Sequence, residues 1–389
     1  MNAAHPQEYS RYRSSKYFPS LDGLRAISIL AVIWYHVPEL RPFWQTGFLG
    51  VHLFFVISGF LITTLLLREK SEYGSISLRN FYVRRTLRIF PAYYLTLLLF
   101  LVACLMVPDL RRDGLSTYLH NLPSFLTYTS NWFVNPWKPD RVIFVAAWSL
   151  ATEEQFYLLW PWIIAFSKRW YTPVIVMGAL IAANEVIKLS VGYQFFLSGY
   201  TLPVIIFNSI STAICLGCLL AYVLDRKKSF MVAWNILGQR WSAPVFAIIM
   251  LIVSIVPNSN SLEVGRMFLI CVAMTLAVAA CCIRNDTLLV PILTNRVVRY
   301  IGTISYGMYL YHAFGINVTD RFFMPLLVRL GVGGGFLRAL QFLIVASCTA
   351  AFASISYWAY ERYFLRLKER FTSHRPTSPV VTEVALSAD

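Results

Sequence analysis

Two ionisable residues share the first long apolar stretch, LDGLRAISILAVIWYHV. Arg25 and His36 are eleven residues apart, so in a helix they lie about 16 Å apart along the axis and within about 20° of the same face. Such a histidine can accept a hydroxyl proton as a general base, and the arginine can bind an anion. Ionisable residues in a membrane span indicate function. The alternative is an arginine that reaches the membrane surface and a histidine hydrogen-bonded between helices.

A pair of adjacent carboxylates lies in the stretch WSLATEEQFYLLWP. Two neighbouring carboxylates in an apolar helix cannot both face lipid, so at least one should meet a histidine, an arginine or a polar substrate. We predict that Glu154 faces an internal pore, where it orients the His36 imidazole or stabilises its charged form, and that Glu153 pairs with a neighbouring helix. A packing ion pair is the alternative for either residue.

Three further residues could face the same pore. His312 lies at a predicted depth near that of His36, and Tyr309 brings a hydroxyl one turn before it. His52 begins an apolar run near the predicted outer surface. Tyrosine is also common at membrane interfaces and in protein cores, which is the alternative for Tyr309. The candidate pore-lining residues are therefore His52, Glu153, Tyr309 and His312.

Three arginines precede the third apolar run. Arg85 and Arg88 are three residues apart, so in a helix they share a face and could bind a phosphate cluster through charge-assisted hydrogen bonds. Arg84 adjoins them. A plain cationic anchor at the membrane surface explains these residues equally well.

The elements that must position these residues follow from composition. Hydrophobic residues make up 57% and charged residues 14% of the 389 residues, against about 45 to 50% and about 25% in globular proteins. The excess apolar surface must face lipid, so we predict an all-α, polytopic membrane helix bundle. About ten transmembrane helices are predicted, at residues 24–40, 47–67, 90–107, 144–166, 171–191, 202–223, 243–256, 264–283, 301–327 and 336–364.

Three polar segments lie outside these runs. Residues 1–20 lack the cleavage pattern of a signal peptide and are predicted to form a short cytoplasmic tail. Residues 108–143 form the only long predicted loop, and residues 367–389 are rich in Ser, Thr and Pro, which predicts a disordered cytoplasmic tail. The predicted transmembrane domain is residues 21–366.

The distribution of charge predicts the orientation of the bundle. The formal net charge is +15, but the basic residues lie between apolar runs and form no basic domain, which excludes a nucleic-acid partner. Of the 34 Lys and Arg residues, 24 fall on one side of the predicted spans, so both termini are predicted to be cytoplasmic. Cys215 and Cys218 form a lone CxxC within an apolar run, and no metal site is predicted.

Five ordered motifs resemble those of the acyltransferase 3 family, the bacterial multi-pass membrane O-acyltransferases that modify surface glycans. These motifs, which span nearly the whole chain, are LDGLRAISILAVIWYH, GVHLFFVISGFLIT, FYVRRTLRIFPAYY, WSLATEEQFYLLWP and ISYGMYLYH. The resemblance implies a ten-helix domain in the inner membrane that uses cytoplasmic acyl-CoA. It also implies that Arg25 and His36 match the family's basic residue and histidine, Arg85 and Arg88 its cytoplasmic RxxR, and Glu154 its helix-four glutamate.

Two positions depart from the family pattern. Many members carry an acidic residue where this chain has His52. Some members also append a soluble esterase-like domain, whereas only a short tail follows here, so the membrane domain is expected to do the whole reaction.

The expected function is transfer of an acyl group, most simply acetyl, from acyl-CoA to a hydroxyl of a cell-surface carbohydrate or glycolipid. His36 and Glu154 are the candidate catalytic residues, and Arg25, Arg85 and Arg88 the candidate donor-binding residues. Acyl-CoA is a substrate, and no tightly bound cofactor is expected. One alternative is a transporter or flippase for a polar ligand, although no short broken-helix pair is evident in the sequence. Another is an acyltransferase for a cytoplasmic small molecule such as a macrolide.

Overall fold

The computed structural model describes residues 5–15, 17–37, 46–135, 144–192, 199–256 and 262–371, and these residues contain no β-strand. The predicted all-α class is confirmed. Helices satisfy their own backbone hydrogen bonds, as segments in hydrocarbon must. In chain order the helices are α1 (His5–Ser14), α2 (Pro19–His36), α3 (Leu49–Tyr73), α4 (Leu78–Met106), α5 (Pro108–Asp113), α6 (Leu115–Leu126), α7 (Ser130–Phe133), α8 (Ala147–Phe166), α9 (Tyr171–Val191), α10 (Leu202–Asn208), α11 (Thr212–Asp225), α12 (Lys227–Leu237), α13 (Ser242–Ile255), α14 (Glu263–Ile283), α15 (Val290–Leu293), α16 (Arg296–Val318), α17 (Met324–Arg329), α18 (Gly334–Ser356) and α19 (Arg362–Glu369).

Two π-helical turns interrupt the last part of the bundle. Thr319–Phe323 joins α16 to α17, and Tyr357–Glu361 joins α18 to α19. The second turn makes Gly334–Glu369 one continuous helix of 36 residues.

Within the described residues, five helices are long and apolar enough to cross a membrane, namely α3, α4, α9, α14 and the continuous Gly334–Glu369 helix. Three bent pairs, α1 with α2, α10 with α11 and α12 with α13, raise this number to eight if each pair is one span. The chain is thus a multi-pass membrane protein, and the number ten stays a prediction. The predicted fourth and ninth spans, α8 and α16, are not in this set, and α8 carries the polar residues Glu153, Glu154 and Gln155.

The bent pairs correct the expectation that no broken helix is present. Helices α10 and α11 meet at 53°, and α12 and α13 meet at 72°. Hydropathy averages composition over a window and carries no information on backbone direction, so the break at residues 209–211 stays hidden inside one apolar run.

The predicted loop at 108–143 is largely helical, and its residues 136–143 lie outside the described part. Helices α5, α6 and α7 occupy most of residues 108–133. Tyr118 and Phe125 of α6 are buried. The Tyr118 hydroxyl donates to the Leu97 carbonyl of α4 at 2.7 Å, and the Tyr93 hydroxyl of α4 donates to the Phe125 carbonyl at 2.7 Å. This segment therefore packs along the middle of α4, beside residues 93–97 of the predicted third span.

Both predicted tails contribute ordered helices. The Tyr9 hydroxyl of α1 donates to the Asp225 carbonyl at 2.6 Å, and Arg13 forms an ion pair with the Asp225 carboxylate. At the other end, α19 runs through the predicted boundary at residue 367, and Arg84 of α4 donates to the Phe371 carbonyl at 2.9 Å. Residues 372–389 lie outside the described part.

Helices α3 and α11 pack closely through a pair of glycines. A Cβ atom added to Gly59 would lie 2.2 Å from the Ile214 carbonyl oxygen, and one added to Gly217 would lie 2.2 Å from the Val56 carbonyl oxygen. Small residues let the backbones of membrane helices approach closely, where van der Waals contact replaces the hydrophobic driving force. This contact fixes α3, which carries several residues of the site described next.

Candidate active site

A large cavity, with a volume of about 670 Å³, lies between α2, α3, α4, α8, α16 and α19. Such a volume is typical of sites for cofactor-sized ligands, about 300 to 1,000 Å³. The charged residues that line it are Asp22, Arg25, Arg68, Arg85, Arg88, Glu153, Glu154, Glu361, Lys368 and Glu369.

Arg85 and Arg88 lie on the cavity side of α4, one turn apart. The Arg85 guanidinium lies over the Phe81 and Tyr157 rings, 5.7 and 5.5 Å from their centroids. Such contacts hold a guanidinium without neutralising its charge. Among the described residues, neither Arg85 nor Arg88 has an ion-pair partner, so both charges can be used by an anionic ligand.

Lys368 of α19 lines the same cavity, and the sequence interpretation missed it. It lies close enough to Arg85 and Arg88 for mutual charge repulsion, and it forms no ion pair within the described residues. Three positive side chains from two helices thus converge at one end of the cavity. The sequence predicts a disordered tail from residue 367, so Lys368 falls outside the predicted membrane domain and gives no sign of a place in a site.

Arg84 and Arg68 have structural roles, although both are near this cluster. Arg84 forms an ion pair with Glu69 at 3.2 Å and is absent from the cavity lining. Arg68 lines the cavity but donates to the Ser15 carbonyl at 2.5 Å and the Tyr12 carbonyl at 2.9 Å. These contacts fix α3 and α4 to the chain termini.

Arg25 lines the cavity from α2, together with its own partner. Its guanidinium lies 3.3 Å from the Asp22 carboxylate one turn earlier, and Asp22 also accepts a hydrogen bond from Tyr17. Of the three predicted donor-binding arginines, Arg25 is therefore the only one held by an ion pair within the described residues.

The two adjacent glutamates of α8 have different surroundings. Glu153 accepts hydrogen bonds from Ser58 of α3 and from Tyr157 one turn later on α8. Glu154 also lines the cavity, and it makes no side-chain hydrogen bond or ion pair within the part of the chain described here. Glu153 is thus fixed to a neighbouring helix, while Glu154 can interact with a ligand or with a charged side chain.

His36 and His312 lie against one another. Their ring centroids are 4.7 Å apart. His36 Nδ1 is 2.8 Å from the Val32 carbonyl oxygen, and His312 Nδ1 is 2.6 Å from the Tyr309 carbonyl oxygen. Because a carbonyl can only accept, both Nδ1 atoms carry the proton, and Nε2 is the basic nitrogen of each ring.

The structure places this histidine pair beside the cavity and not in its wall. Neither His36 nor His312 is among the described residues that line the cavity, whereas Tyr309, one turn before His312, is. The Tyr309 ring centroid lies 5.8 Å from that of His312, and its hydroxyl lies 2.5 Å from Ser149 Oγ. Tyr309 thus connects the histidines to the cavity.

His52 does not share this cavity, contrary to the expectation of a single pore. Val51, Phe55 and Ser58 of α3 face the large cavity, and His52 is rotated by about 100° from Val51 around the helix. His52 instead lines a second cavity of about 50 Å³.

The sequence of the chain matches the model of one known protein family. A family model described as an acyltransferase domain matches residues 18–360. The chain belongs to the acyltransferase 3 family. The match covers every predicted site residue and most of the cavity lining, although Lys368 lies beyond it, and the resemblance of the five motifs is confirmed.

Relatives of this acyltransferase-family chain carry names that refer to acetyl transfer. A Staphylococcus aureus (strain COL) protein, provisionally named an O-acetyltransferase, is 30% identical over 389 residues that cover 95% of this chain and 61% of that protein. O-acetyltransferase OatA of S. aureus (strain NCTC 8325 / PS 47) is 29% identical, over 88% of this chain and 56% of OatA. The chain thus spans less than two thirds of the length of these relatives. No solved structure matches it.

Proposed function

We propose that this protein is a membrane O-acyltransferase that moves an acyl group, most simply acetyl, from acyl-CoA to a hydroxyl of a cell-surface carbohydrate or glycolipid. The observation that carries the proposal is the large cavity, which joins three positive side chains at one end to carboxylate and hydroxyl groups farther along. The family and the acetyltransferase names of the relatives support the class of reaction.

The positive end of the cavity fits the charged part of the donor. Coenzyme A carries phosphates at one end and a thin thioester arm at the other. In this proposal Arg85, Arg88 and Lys368 bind the phosphates through charge-assisted hydrogen bonds, and Arg25 contributes from α2. The thioester arm extends along the cavity toward Tyr309, so no phosphate has to enter the apolar part of the bundle.

The His36 ring has the hydrogen bonding that a general base requires. With Nδ1–H donated to the Val32 carbonyl, Nε2 is oriented and can take the proton of the acceptor hydroxyl. The hydroxyl oxygen then bonds to the thioester carbonyl carbon, the carbon–sulfur bond breaks, and the CoA thiolate leaves. The proton on Nε2 passes to that thiolate, which restores the neutral histidine.

Two charges develop during this step, an oxyanion on the thioester and a positive charge on His36. The Tyr309 hydroxyl, paired with Ser149 Oγ, can donate to the developing oxyanion, and His312 is the second candidate donor. The charged neighbours of Glu154 are Glu153 and Arg85, so in this proposal its carboxylate stabilises the His36 imidazolium through charge and not through a hydrogen bond. A covalent route through an acyl-histidine uses the same residues and predicts ping-pong kinetics.

Sidedness follows from the distribution of Lys and Arg. In this proposal the protein lies in the inner membrane with both termini cytoplasmic, and Arg85, Arg88 and Lys368 face the cytoplasm, where acyl-CoA is found. His36, at the last residue of α2, then lies near the outer face, where a bulky glycan can approach.

The proposal is tested with purified full-length protein in nanodiscs and acetyl-CoA labelled in the acetyl group. We expect slow release of free CoA without an acceptor, and faster release with label transfer when the envelope carbohydrate fraction of the native bacterium is added. No CoA release under either condition would contradict an acyl-CoA-dependent enzyme. Label found only on cytoplasmic small molecules such as macrolides would contradict the carbohydrate acceptor and leave the donor reaction intact.

A transporter or flippase is the second candidate, because bent helix pairs also occur in transporters that hold polar ligands. The pair α10–α11, with its 53° bend, is the observation in its favour. A transport assay in liposomes distinguishes the transporter from the proposed acyltransferase. A transporter moves labelled envelope oligosaccharide across the bilayer without acetyl-CoA, and the proposed enzyme does not.

A further inference from the structure

A second, smaller cavity lies where several helices end. Its volume is about 50 Å³. A single water needs about 10 to 15 Å³ of cavity volume, so the space fits about four water-sized groups. It is formed by the first turns of α3, α8, α11 and α14 and by the last turns of α9 and α10. Because α2 ends where α3 begins, this is the same end of the bundle as His36.

An ion pair lies in the wall of this cavity. Lys188 Nζ is 4.0 Å from Glu185 Oε1 on α9, and only 12% and 18% of these side chains are exposed. A mostly buried ion pair is weak support for stability, because removing both charges from water costs about as much as their attraction returns. Its position in an otherwise apolar helix therefore indicates a use beyond packing.

The break between α10 and α11 supplies further polar groups. Asn184 of α9 donates its amide to the carbonyls of Phe207 and Asn208, at 2.9 and 3.0 Å. Thr212 Oγ1, at the start of α11, lies 2.5 Å from Glu185 Oε1. The bent pair is thus fixed to α9 by side chains, and residues 208–213 all line the cavity.

One aromatic residue separates the two cavities. Phe55 of α3 lines both of them. Its ring meets that of Trp148 edge to face at 6.3 Å, and Trp148 lines the small cavity. On the other side, Ser149 and Tyr309 line the large cavity. A group in the small cavity is therefore separated from the large cavity by the side chain of Phe55.

We propose that the small cavity binds an exocyclic hydroxyl-bearing group of the acceptor carbohydrate. This inference rests on the proposed function. Adjacent positive and negative groups suit a neutral ligand that both donates and accepts hydrogen bonds, as a sugar hydroxyl does, whereas an anionic ligand would be repelled by Glu185. The space is too small for a sugar ring, so the ring lies at the opening, and Phe55 moves aside to admit the reacting hydroxyl.

The test compares Lys188→Met and Glu185→Gln with Ser190→Ala, a control at an exposed position on the same helix. Each full-length variant in nanodiscs is assayed for acceptor-free release of CoA, for the KM of acetyl-CoA, and for the KM of the native envelope carbohydrate fraction. We expect both cavity variants to raise the carbohydrate KM at least tenfold, with CoA release and the acetyl-CoA KM within twofold of the wild type. The control should match the wild type in all three.

A variant that fills the small cavity still tests the inference if loss of one charge unfolds the protein. Ser211→Phe places a ring in the small cavity and leaves the ion pair intact, and it should also raise the carbohydrate KM at least tenfold. An unchanged carbohydrate KM in Ser211→Phe would overturn the inference. A loss confined to Lys188→Met would overturn the neutral ligand and indicate an anionic one. Wild-type protein that releases no CoA would instead overturn the proposed function itself.

Discussion

His36 is the residue on which the chemistry depends most. Its Nδ1 proton is fixed by the Val32 carbonyl, which leaves Nε2 as the base. We predict that His36→Ala lowers the transfer rate by about 10² to 10⁴, the usual effect of losing a general base. The measurement is label transfer from acetyl-CoA by purified, inserted protein. His120→Ala, at an exposed position on α6, should keep full activity. More than half of the wild-type rate in His36→Ala would exclude the histidine as the base.

Replacement of Lys368 or Arg88 should weaken binding of the acyl-CoA donor and leave binding of the carbohydrate unchanged. A charge-assisted hydrogen bond contributes about 1.5 to 3 kcal/mol, so Lys368→Met and Arg88→Ala should each raise the acetyl-CoA KM about tenfold or more. Their effect on the carbohydrate KM should be small. Arg79→Ala is the matched control, since Arg79 is exposed on the same helix as Arg88 and absent from the cavity lining. Equal KM values in Arg79→Ala and Arg88→Ala would make Arg88 a membrane anchor only.

At the residue scale, the sequence predicts which side chains could form a site better than it predicts which side chains they contact. Spacing placed Arg85 and Arg88 on one face, and both line the cavity. Glu154 was predicted to face the pore and Glu153 to pair with a neighbouring helix, whereas both line the cavity and only Glu153 also bonds to α3. Spacing could not separate Arg84 from its neighbours, because the Glu69 and Phe371 partners are distant in sequence. It also missed Lys368, whose neighbours lie on another helix.

The close contact of α3 with α11 makes its glycines sensitive to any added atom. We predict that Gly59→Ala and Gly217→Ala each lower the free energy of unfolding by about 1 to 3 kcal/mol, the usual cost of overpacking. The added methyl would meet backbone, which cannot rotate away. Thermal unfolding in detergent measures the change. Gly178→Ala on α9, where no atom lies within 4 Å of the added Cβ, should be no less stable than the wild type.

Element boundaries were predictable only where composition changes. The apolar run at 171–191 coincides with α9, because polar residues flank both ends. The single apolar run at 202–223 gave no sign of the break between α10 and α11. The sequence predicts a loop where α5 to α7 lie, because the Pro and Asn content of this segment is typical of loops. Packing against α4, through residues such as Tyr118, makes that segment helical, and such packing depends on distant parts of the chain.

The orientation of the whole molecule can be measured through single cysteines. Six of the seven native cysteines are buried and only Cys348 is partly exposed, so Cys348→Ala gives a background of low reactivity. In that background we predict that Arg112→Cys reacts with an impermeant thiol reagent in intact cells, and that Lys227→Cys reacts only after permeabilisation. Both positions are exposed. The reverse pattern would place the acyl-CoA end of the cavity outside the cell and exclude the proposed donor arrangement.

The side chain of Phe55 forms a thin wall between the two cavities, and this wall has a consequence for the electrical properties of the membrane. If water fills both cavities from opposite faces, the membrane potential falls mainly across this wall and not across the full bilayer. A unit charge that crosses it then gains or loses about 2.3 kcal/mol for each 100 mV. In the proposed reaction the proton of the acceptor hydroxyl ends on the CoA thiolate, on the other side of this wall, so the rate of acyl transfer would change when an ionophore collapses the potential in sealed vesicles.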